Sequence, residues 1–301
     1  MLLGKTIVIT GISSGIGARV GELAQALGAD IIGVDVNEPT RPLDAFIKAD
    51  IGSPQGVAEI VQTLPQRFDA LCNVAGVSGM IGAAKTLAIN FYGLRELTQS
   101  LAPQLREGGA VVNVASIAGY GWRANLERAK AFVSAAGFPD LTKLLAAHQV
   151  SDGEAYPLSK ELLLLWTMRA AHEPLFKDRG LRVNAVSPGP VATPILKEFR
   201  QIFGDPRVDD DIARVARRLC ARHRARGPVL VLGCRALDQR RQSAGRRGPR
   251  SLDQRDCARV LDLSESETQH LVGIGRQLRG QAFVLDLGAR PLLWRNGERR
   301  A

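Results

Sequence analysis

Short apolar runs alternate with amphipathic stretches along the first 214 residues of the chain. Each apolar run predicts a buried β-strand, and these runs are Lys5–Thr10, Ala29–Asp35, Phe68–Gly76, Gly108–Ser116 and Leu181–Pro190. Apolar residues recur at helical spacing between them, which predicts helices over Gly56–Leu64, Ile89–Leu105 and Ser159–His172. Buried strands separated by helices predict an α/β fold, in which a doubly wound, Rossmann-type parallel sheet carries helices on both faces. Such sheets bind ligands at the carboxyl ends of their strands.

A glycine-rich turn, Thr10–Gly17, follows the first strand and leads into a helix. We expect Gly11 to make the tight exit from the strand, Gly15 to let the backbone approach a pyrophosphate, and Gly17 to let the helix pack on the sheet. The helix N-terminus would offer free N–H groups to the phosphates. Asp35 closes the second strand where an acid binds a ribose hydroxyl and repels a 2′-phosphate. NAD is therefore favoured over NADP, and a solvated loop carboxylate is the alternative role for Asp35.

Tyr156 and Lys160 lie four residues apart near the start of a helix, so they share one helix face. A phenol has a pKa of about 10, and a nearby ammonium stabilises the phenolate and lowers that pKa. Ser116 lies at the end of a predicted strand, where its hydroxyl can hydrogen-bond a substrate oxygen. Taken singly, such residues are commonly a surface pair and a strand-end cap. Following a dinucleotide-type turn in this order, they predict an acid/base site.

At these positions the chain resembles the short-chain dehydrogenase/reductase family. Thr10–Gly17 resembles the family's cofactor turn, Cys72–Gly76 its N-x-A-G segment along the adenosine side, and Pro188–Thr193 the loop that orients the nicotinamide. The resemblance also implies that Asp50 and Ile51 contact adenine. It implies that the cofactor-binding residues are Gly11, Ser13, Ser14, Gly15, Ile16, Gly17, Asp35, Asp50, Ile51, Asn73, Ala75, Gly76, Tyr156, Lys160, Pro188, Val191 and Thr193.

The resemblance spans about residues 4–214 and implies an NAD-dependent oxidoreductase that interconverts a small-molecule alcohol and its carbonyl. It implies four catalytic residues. Tyr156 removes the alcohol proton, Lys160 lowers the tyrosine pKa and binds ribose hydroxyls, and Ser116 polarises the C–O bond. Asn90 holds a water in a proton relay through the lysine. A catalytically inactive dinucleotide-binding protein is the alternative, against which the presence of all four residues argues.

An insert distinguishes this chain from most members of the family, because 39 residues separate Ser116 from Tyr156. The extra stretch, about Trp122–Gly153, has helical periodicity at Leu126–Phe132 and Leu141–His148. It would cover the substrate, form a dimer face, or face solvent as a helical pair. The insert resembles that of the 3-alpha-hydroxysteroid and coniferyl-alcohol dehydrogenase types, and several stretches, such as GGAVVNVASIAGYGW, are most similar to the coniferyl-alcohol type. An aromatic or polycyclic alcohol is the substrate class that this implies.

The charge of the chain is unevenly distributed. The formal net charge is +10, yet residues 1–214 contain 21 Lys and Arg against 22 Asp and Glu, whereas residues 215–301 contain 19 Arg, no Lys and 8 Asp and Glu. An arginine-rich segment of this kind can bind nucleic acid through the phosphates. It lacks the aromatic platforms or the reading helix of a dedicated nucleic-acid site, so nucleic acid is not the expected partner.

A frameshift explains the basic segment better than a nucleic-acid arm. When each codon is shifted forward by one nucleotide, Cys220–Ala225 permits APDIAP and Arg226–Arg250 permits AVLFLCSDAARWINGANLPVDGGLA. This is the helix, W-I-N-G, strand and D-G-G ending that the family has at this place. We therefore expect residues 1–214 to form the NAD-binding domain and residues 215–301 to be frameshifted, poorly ordered translation. As written, the chain would lack the sheet's last strand; with the ending restored, a homodimer or homotetramer is expected.

Other features exclude several classes of protein. No run of about 18 apolar residues is present, so a membrane span is not expected. Four cysteines, at positions 72, 220, 234 and 257, have no C-x-x-C spacing, so neither a metal site nor a disulfide framework is expected. The apolar start MLLGKTIVITG is interpreted as a core strand, and a cytoplasmic location is expected.

Overall fold

The computed structural model describes residues 2–223 and 284–285, which fall into two compact units. The first unit comprises residues 2–188, 193–198 and 284–285. The second comprises residues 189–192 and 199–223. Most of the segment for which we expect frameshifted, poorly ordered translation lies outside the described residues.

A parallel β-sheet forms the centre of the first unit. Among the described residues its strands run in the order β3-β2-β1-β4-β5-β6-β7, and each pair of neighbours is parallel. Their bounds are β1 Thr6–Thr10, β2 Asp30–Asp35, β3 Ala45–Lys48, β4 Phe68–Asn73, β5 Leu105–Val114, β6 Arg182–Val186 and β7 Val284–Leu285. The chain moves outward from β1 and returns to β4 on its other side, so the carboxyl ends of β1 and β4 form the topological switch point. The predicted doubly wound sheet is confirmed.

The helices connect these strands in the expected alternation. In the described part of the chain they are α1 Gly15–Ala26, α2 Pro54–Thr63, α3 Ala83–Leu87, α4 Leu94–Leu101, α5 Leu126–Ser134, α6 Leu141–Ala147, α7 Asp152–Ala170, α8 Pro174–Lys177, α9 Ile195–Phe203 and α10 Asp205–His223. A π-helical segment, Ala88–Gly93, precedes α4, and 3-10 segments occupy Ala102–Gln104 and Ile117–Arg123. No helix within this part is long and apolar enough to cross a membrane.

Strand β1 shows why the sheet needs helices on both faces. Side chains of consecutive strand residues point to opposite faces, and Ile7, Val8 and Ile9 are all buried. Val8 belongs to the large core cluster with residues of α2, α4 and α7, whereas Ile7 and Ile9 belong to a second cluster with residues of α1. Both faces of the sheet are therefore covered, as predicted.

Several predicted boundaries differ from the observed ones. Helix α7 begins at Asp152, seven residues before the predicted start, because the Glu154 carboxylate accepts hydrogen bonds from the N–H (3.2 Å) and the hydroxyl (2.8 Å) of Ser151 and fixes the first turn. The predicted helix over residues 89–105 is divided, since it passes from π-helix to α4 and ends at Leu101. Strand β3 was not predicted, because four residues are too few to establish a period. The two predicted helices of the insert are confirmed as α5 and α6.

The sheet also extends past β6. Beyond β6 the pairing is limited to two register positions, at which Ala185 pairs with Val284 and Val186 pairs with Leu285. Backbone pairing at these two positions satisfies part of the open edge of β6. The second unit contains α10, and there Arg200 binds Asp205 (2.9 Å) and Asp209 (2.7 Å).

Candidate active site

The glycine turn is packed so closely that a side chain at Gly11 or Gly17 would collide with neighbouring backbone. Gly11 has a φ of +72°, and a Cβ there would lie 2.7 Å from the backbone of Ala75, which follows β4. A Cβ on Gly17 would lie 2.0 Å from the Gly11 carbonyl oxygen, and one on Gly15 (φ +54°) would lie 3.3 Å from Thr193. Ser14 precedes α1 in an extended conformation and its side chain makes no capping hydrogen bond. The N–H groups of the first helical turn, including that of Ile16, thus remain available to an anion.

Asp35 is held against this turn at the end of β2. Its carboxylate accepts hydrogen bonds from the backbone N–H of Ser13 (3.0 Å) and of Asn37 (3.0 Å). The Ser13 hydroxyl donates to the Asn37 carbonyl oxygen. The structure therefore brings the predicted acid and the predicted glycine turn together, although they lie on different strands. This fixed carboxylate fits a ribose hydroxyl, which can donate to it.

The remaining residues predicted along the adenosine side have clear local partners. The Asp50 carboxylate accepts a hydrogen bond from Gly52 N–H (2.8 Å), and Ile51 is buried. Asn73 is also buried, and its amide donates to Thr98 (2.8 Å) and Asn113 (2.9 Å), which ties β4 to α4 and β5. These two hydrogen bonds connect three elements of the sheet and its covering helix.

The strand ends at the switch point are joined by one hydroxyl. The Thr10 Oγ1 atom at the end of β1 accepts hydrogen bonds from the N–H groups of Val74 (3.1 Å) and Ala75 (3.2 Å). Thr10 is fully buried. This contact sets the distance between the glycine turn and the segment after β4, where the two sides of the predicted cofactor cleft meet.

Helix α7 and the end of β5 bring the predicted serine and tyrosine into contact. The side chains of Ser116 and Tyr156 are hydrogen-bonded, and both residues are only 9% exposed. Burial raises the pKa of the Tyr156 phenol, and the hydrogen bond to Ser116 acts in the opposite direction. Ser116 Oγ also accepts a hydrogen bond from Ala118 N–H (3.1 Å), which fixes its rotamer at the start of the 3-10 segment.

Lys160 lies one helical turn beyond the tyrosine. Its ammonium donates to the Val114 carbonyl oxygen (2.9 Å) and lies 5.7 Å from the centre of the Tyr156 ring. Burial lowers the pKa of this ammonium to about 8. A Cβ on Gly76 would lie 3.6 Å from Lys160 Nζ and 3.2 Å from Asn90 Oδ1, so these residues surround one small space.

Asn90 is placed by the π-helical segment and is fully buried. Its side-chain oxygen accepts a hydrogen bond from Val77 N–H (2.8 Å), and its amide nitrogen donates to the Val77 carbonyl (3.0 Å) and to Ser159 Oγ (3.1 Å). Asn90 thus connects the segment after β4 to the helix that carries Tyr156. Its side chain positions these elements.

The predicted nicotinamide loop divides between the two units. Pro188 and Thr193 belong to the first unit, whereas Val191 belongs to the second. The Pro188 carbonyl accepts a hydrogen bond from Ile117 N–H (3.2 Å), so this end of the loop lies beside the segment after Ser116. Among the residues that the structure describes, no group of three His, Cys, Asp or Glu side chains is placed to hold a metal ion.

Sequence reasoning did not find three other polar contacts around these residues. Ser78, buried after β4, donates its hydroxyl to Glu198 on α9. Glu161, buried on α7, accepts a hydrogen bond from Asn125 (2.8 Å). The Val114 carbonyl is the acceptor for Lys160. The only signal of these contacts in the sequence is that an acid, Glu161, directly follows the predicted catalytic lysine.

Comparison with known proteins identifies the class of this dinucleotide-type fold with a Ser-Tyr-Lys site. A family model described as short chain dehydrogenase matches residues 5–135. A coniferyl-alcohol dehydrogenase from Pseudomonas sp. (strain HR199 / DSM 7063) is 39% identical over 216 residues, which are 72% of this chain and 84% of that protein. The chain therefore belongs to the short-chain dehydrogenase/reductase family of oxidoreductases.

Two further similarities define the neighbourhood of the chain within this family. A 3-alpha-hydroxysteroid dehydrogenase/carbonyl reductase from Comamonas testosteroni is 29% identical over 220 residues, covering 69% of this chain and 80% of that protein. The crystal structure of a 3-alpha-hydroxysteroid dehydrogenase from Pseudomonas sp. B-0831 complexed with NADH gives a TM-score of 0.56 at 30% identity, covering 68% of this chain and 78% of that one. The predicted resemblance to these two types is confirmed.

Proposed function

We propose that this oxidoreductase interconverts an alcohol and its carbonyl, with Tyr156 as the acid/base and NAD as the cofactor. The observation that carries the proposal is the hydrogen-bonded pair Ser116–Tyr156, with Lys160 one turn away, beyond the strand ends at the switch point. A buried phenol hydrogen-bonded to a fixed hydroxyl is suited to exchanging a proton with a substrate oxygen. When bound, the nicotinamide supplies the hydride chemistry.

Each residue has a defined part in this proposal. Ser116 is fixed by Ala118 N–H and orients the substrate oxygen towards the phenol. Tyr156 accepts the alcohol proton in oxidation and returns it in reduction. Lys160, with a pKa lowered to about 8, is poised to pass a proton on near neutral pH and to bind the ribose hydroxyls. Asn90 holds the segment after β4 against α7, from where a water relay would lead to solvent.

The residues around the glycine turn support NAD in preference to NADP. Both oxygens of the Asp35 carboxylate accept backbone hydrogen bonds from the turn and from Asn37, so the negative charge is fixed where the adenosine ribose would lie. A 2′-phosphate would meet this charge directly, whereas a 2′-hydroxyl can donate to it. The 3-alpha-hydroxysteroid dehydrogenase of Pseudomonas sp. B-0831 is complexed with NADH.

An aromatic alcohol such as coniferyl alcohol, or a hydroxysteroid, is the substrate class that we favour. Exposed apolar side chains occur at Met80 and Ile81 after β4 and at Tyr120 after Ser116. A Cβ on Gly79, directly before Met80, would lie 3.5 Å from Tyr156 Cβ, so the segment that carries Met80 and Ile81 passes close to the tyrosine. The relatives named coniferyl-alcohol and 3-alpha-hydroxysteroid dehydrogenase support both alcohols.

An absorbance assay of NADH formation tests this function. The chain is supplied with coniferyl alcohol or a 3-alpha-hydroxysteroid, with NAD or with NADP, and is compared with Y156F and D35A. We expect turnover with NAD, its loss by a factor of about 100 or more in Y156F, and a weaker preference for NAD in D35A. Binding of NADH without turnover of any alcohol would instead support the inactive dinucleotide-binding protein.

We also propose that residues 1–214 are the catalytic domain and that residues 215–301 result from a frameshift. The similarity to the coniferyl-alcohol dehydrogenase supports this, since it covers 84% of that protein but only 72% of this chain. DNA sequencing across codons 210–255 tests it: the hypothesis requires a Leu237 codon ending in G, CAA for Gln239 and CGA for Arg246. Other codons would establish the basic segment as genuine. The frame-restored chain should be a homodimer or homotetramer by light scattering.

A further inference from the structure

Glu161 is a buried acid that has no part in the chemistry proposed above. It is 3% exposed and directly follows Lys160 on α7. One carboxylate oxygen accepts a hydrogen bond from Asn125 Nδ2 (2.8 Å), and the other is buried without a hydrogen-bond partner. Burial raises the pKa of this carboxyl, against the opposing effects of Asn125 and the Arg128 charge. An incompletely satisfied buried carboxyl is destabilising, so its presence calls for a functional reason.

The same segment of chain contacts α7 at the Ser116–Tyr156 pair and again at Glu161. The chain from Ser116 to Asn125 runs along α7, and its first contact is the Ser116–Tyr156 hydrogen bond. In the middle, a Cβ on Gly119 would lie 2.7 Å from the Lys160 carbonyl group, so the two backbones are in close contact. At the far end Asn125 binds Glu161. The segment that begins at the serine is therefore fastened to the helix of the tyrosine at both ends.

The Asn125–Glu161 hydrogen bond takes the place of a helix cap that Asn125 could otherwise form. It is the residue that precedes α5, the first helix of the insert, and asparagine there commonly caps a helix with its side chain. Here the side chain makes no capping hydrogen bond and donates to Glu161 instead. The link between the start of the insert and the catalytic helix thus takes the place of a local stabilising contact.

We propose that Glu161 is a positioning residue, which holds Ser116 in its hydrogen bond with Tyr156 by fixing the segment Ile117–Arg123 through Asn125. The inference rests on the proposed function, in which these two hydroxyls face the substrate oxygen. Losing the Asn125–Glu161 hydrogen bond releases the far end of the segment and misaligns the serine. Small displacements of a catalytic hydroxyl reduce turnover strongly.

Four variants test the role of the hydrogen bond: N125A, E161A, the double variant N125A/E161A, and E161Q, which keeps an acceptor for Asn125 in a side chain of the same shape. We expect kcat to fall about tenfold in each single alanine variant with KM for NAD unchanged, and to fall no further in the double variant. E161Q should restore most of the turnover. Each variant is made in the 301-residue chain and in the frame-restored chain, so that a folding defect of the C-terminal segment affects all members equally.

A second measurement does not depend on turnover. The chain has three tyrosines, so NMR of the ring carbon bound to oxygen resolves Tyr156 after assignment with Y156F. E161A and E161Q both remove the charge, and only E161A removes the hydrogen bond to Asn125. Because the Ser116 hydrogen bond lowers the pKa of Tyr156, we expect this pKa to be higher in E161A than in E161Q.

The outcomes separate this inference from the proposed function. If no alcohol is oxidised but the tyrosine pKa differs as expected, the proposed function fails and the role of Glu161 stands. If the wild-type chain oxidises alcohols while E161A and N125A retain full kcat, or E161Q is as impaired as E161A, the role of Glu161 is refuted and the proposed function stands. Additive losses in the double variant would also refute it, because the two side chains would then act independently.

Discussion

The carbonyl oxygen of Gly11 lies 2.0 Å from the position that a Cβ on Gly17 would occupy. This separation is far below any van der Waals contact, so the first turn of α1 packs against the glycine turn only because residue 17 has no side chain. We expect G17A to displace α1 from the sheet and to reduce NADH affinity at least tenfold. Fluorescence titration with NADH measures the affinity, and thermal unfolding measures the loss of stability.

Gly153 provides the matched control for G17A. It also lies in the first turn of a helix, but no heavy atom lies within 4 Å of the position of an added Cβ. G153A should leave NADH affinity unchanged and stabilise the chain by about 0.5 kcal/mol, because alanine favours the helix. Equal effects of the two substitutions would show that the packing at Gly17 has no special importance.

The sequence alone was sufficient to place the glycine turn, Asp35 and the Tyr156–Lys160 pair on their strands and helices, because each signal is local. The turn follows a strand and precedes a helix, and the tyrosine and lysine lie on one face of a helix. Periodicity also located both helices of the insert. These features can be recognised without knowing which helices and strands pack together in the folded chain.

The contacts that position these residues could not be predicted in the same way. Lys160 binds the carbonyl of Val114, 46 residues earlier, and Glu161 binds Asn125, 36 residues earlier. The Ser78–Glu198 hydrogen bond joins residues 120 positions apart. Such pairs arise only when the sheet has brought distant strand ends together, and a single sequence has no pattern that records them.

The hydrogen bond between Ser116 and Tyr156 predicts the pH dependence of alcohol oxidation. In the proposed reaction the oxidation needs the deprotonated phenol, so we expect the rate to rise as the pH increases through the pKa of Tyr156. Burial raises this pKa and the Ser116 hydrogen bond lowers it, so S116A should raise it further. We expect the rising limb of the kcat profile to move towards alkaline pH, because S116A removes the hydrogen bond that lowers this pKa. Kinetics across pH with saturating NAD measure this.

Ser134 serves as the control for S116A. It is an exposed serine at the end of α5, within the insert. S134A should give the wild-type pH profile. A shift of the S116A profile towards acidic pH would contradict the interpretation, because it would mean that the serine destabilises the phenolate.

Burial of Lys160 predicts a conflict between stability and activity. Because burial lowers its pKa from near 10.5 to about 8, the unfolded chain binds more protons than the folded chain between these values. The destabilisation is therefore fully present below pH 8 and disappears as the pH rises through the ordinary lysine value. We expect K160M to abolish turnover and to stabilise the chain by about 2 kcal/mol at neutral pH. This gain comes from removing the buried charge, and it is reduced because the methionine leaves the Val114 carbonyl unpaired.

Urea unfolding of K160M at several pH values tests this expectation. The stability gain over the wild type should shrink as the pH rises towards 10. Lys143 is a suitable control, because it is exposed and pairs with Asp140, which precedes the same helix. K143M should change stability by about 0.5 kcal/mol or less at every pH. A K160M chain less stable than the wild type at neutral pH would show that the lysine's contacts outweigh its burial.

Arg95 attaches the insert to α4, and its removal is expected to destabilise the chain. Its guanidinium is buried and donates to the carbonyl oxygens of Val133 (3.1 Å) and Gly137 (2.9 Å), and it also pairs with Glu96 (3.0 Å). R95M keeps a side chain of similar volume but leaves the carbonyl groups of Val133 and Gly137 without this hydrogen-bond donor. We expect a loss of about 3 kcal/mol in stability, with faster hydrogen exchange at residues 132–138 than in the wild type.

Arg169 separates this role from a general effect of removing positive charge. It is an exposed arginine on α7 that pairs with Glu173 (3.0 Å). The control variant R169M should lower the free energy of unfolding by less than about 1 kcal/mol. If R95M is as mild as R169M, the buried guanidinium is not what holds the insert. If R95M accelerates exchange at residues 132–138 and also lowers kcat, the insert is coupled to the site. Because α5 begins directly after Asn125, the same loosening would then reach Glu161 and the serine that it positions.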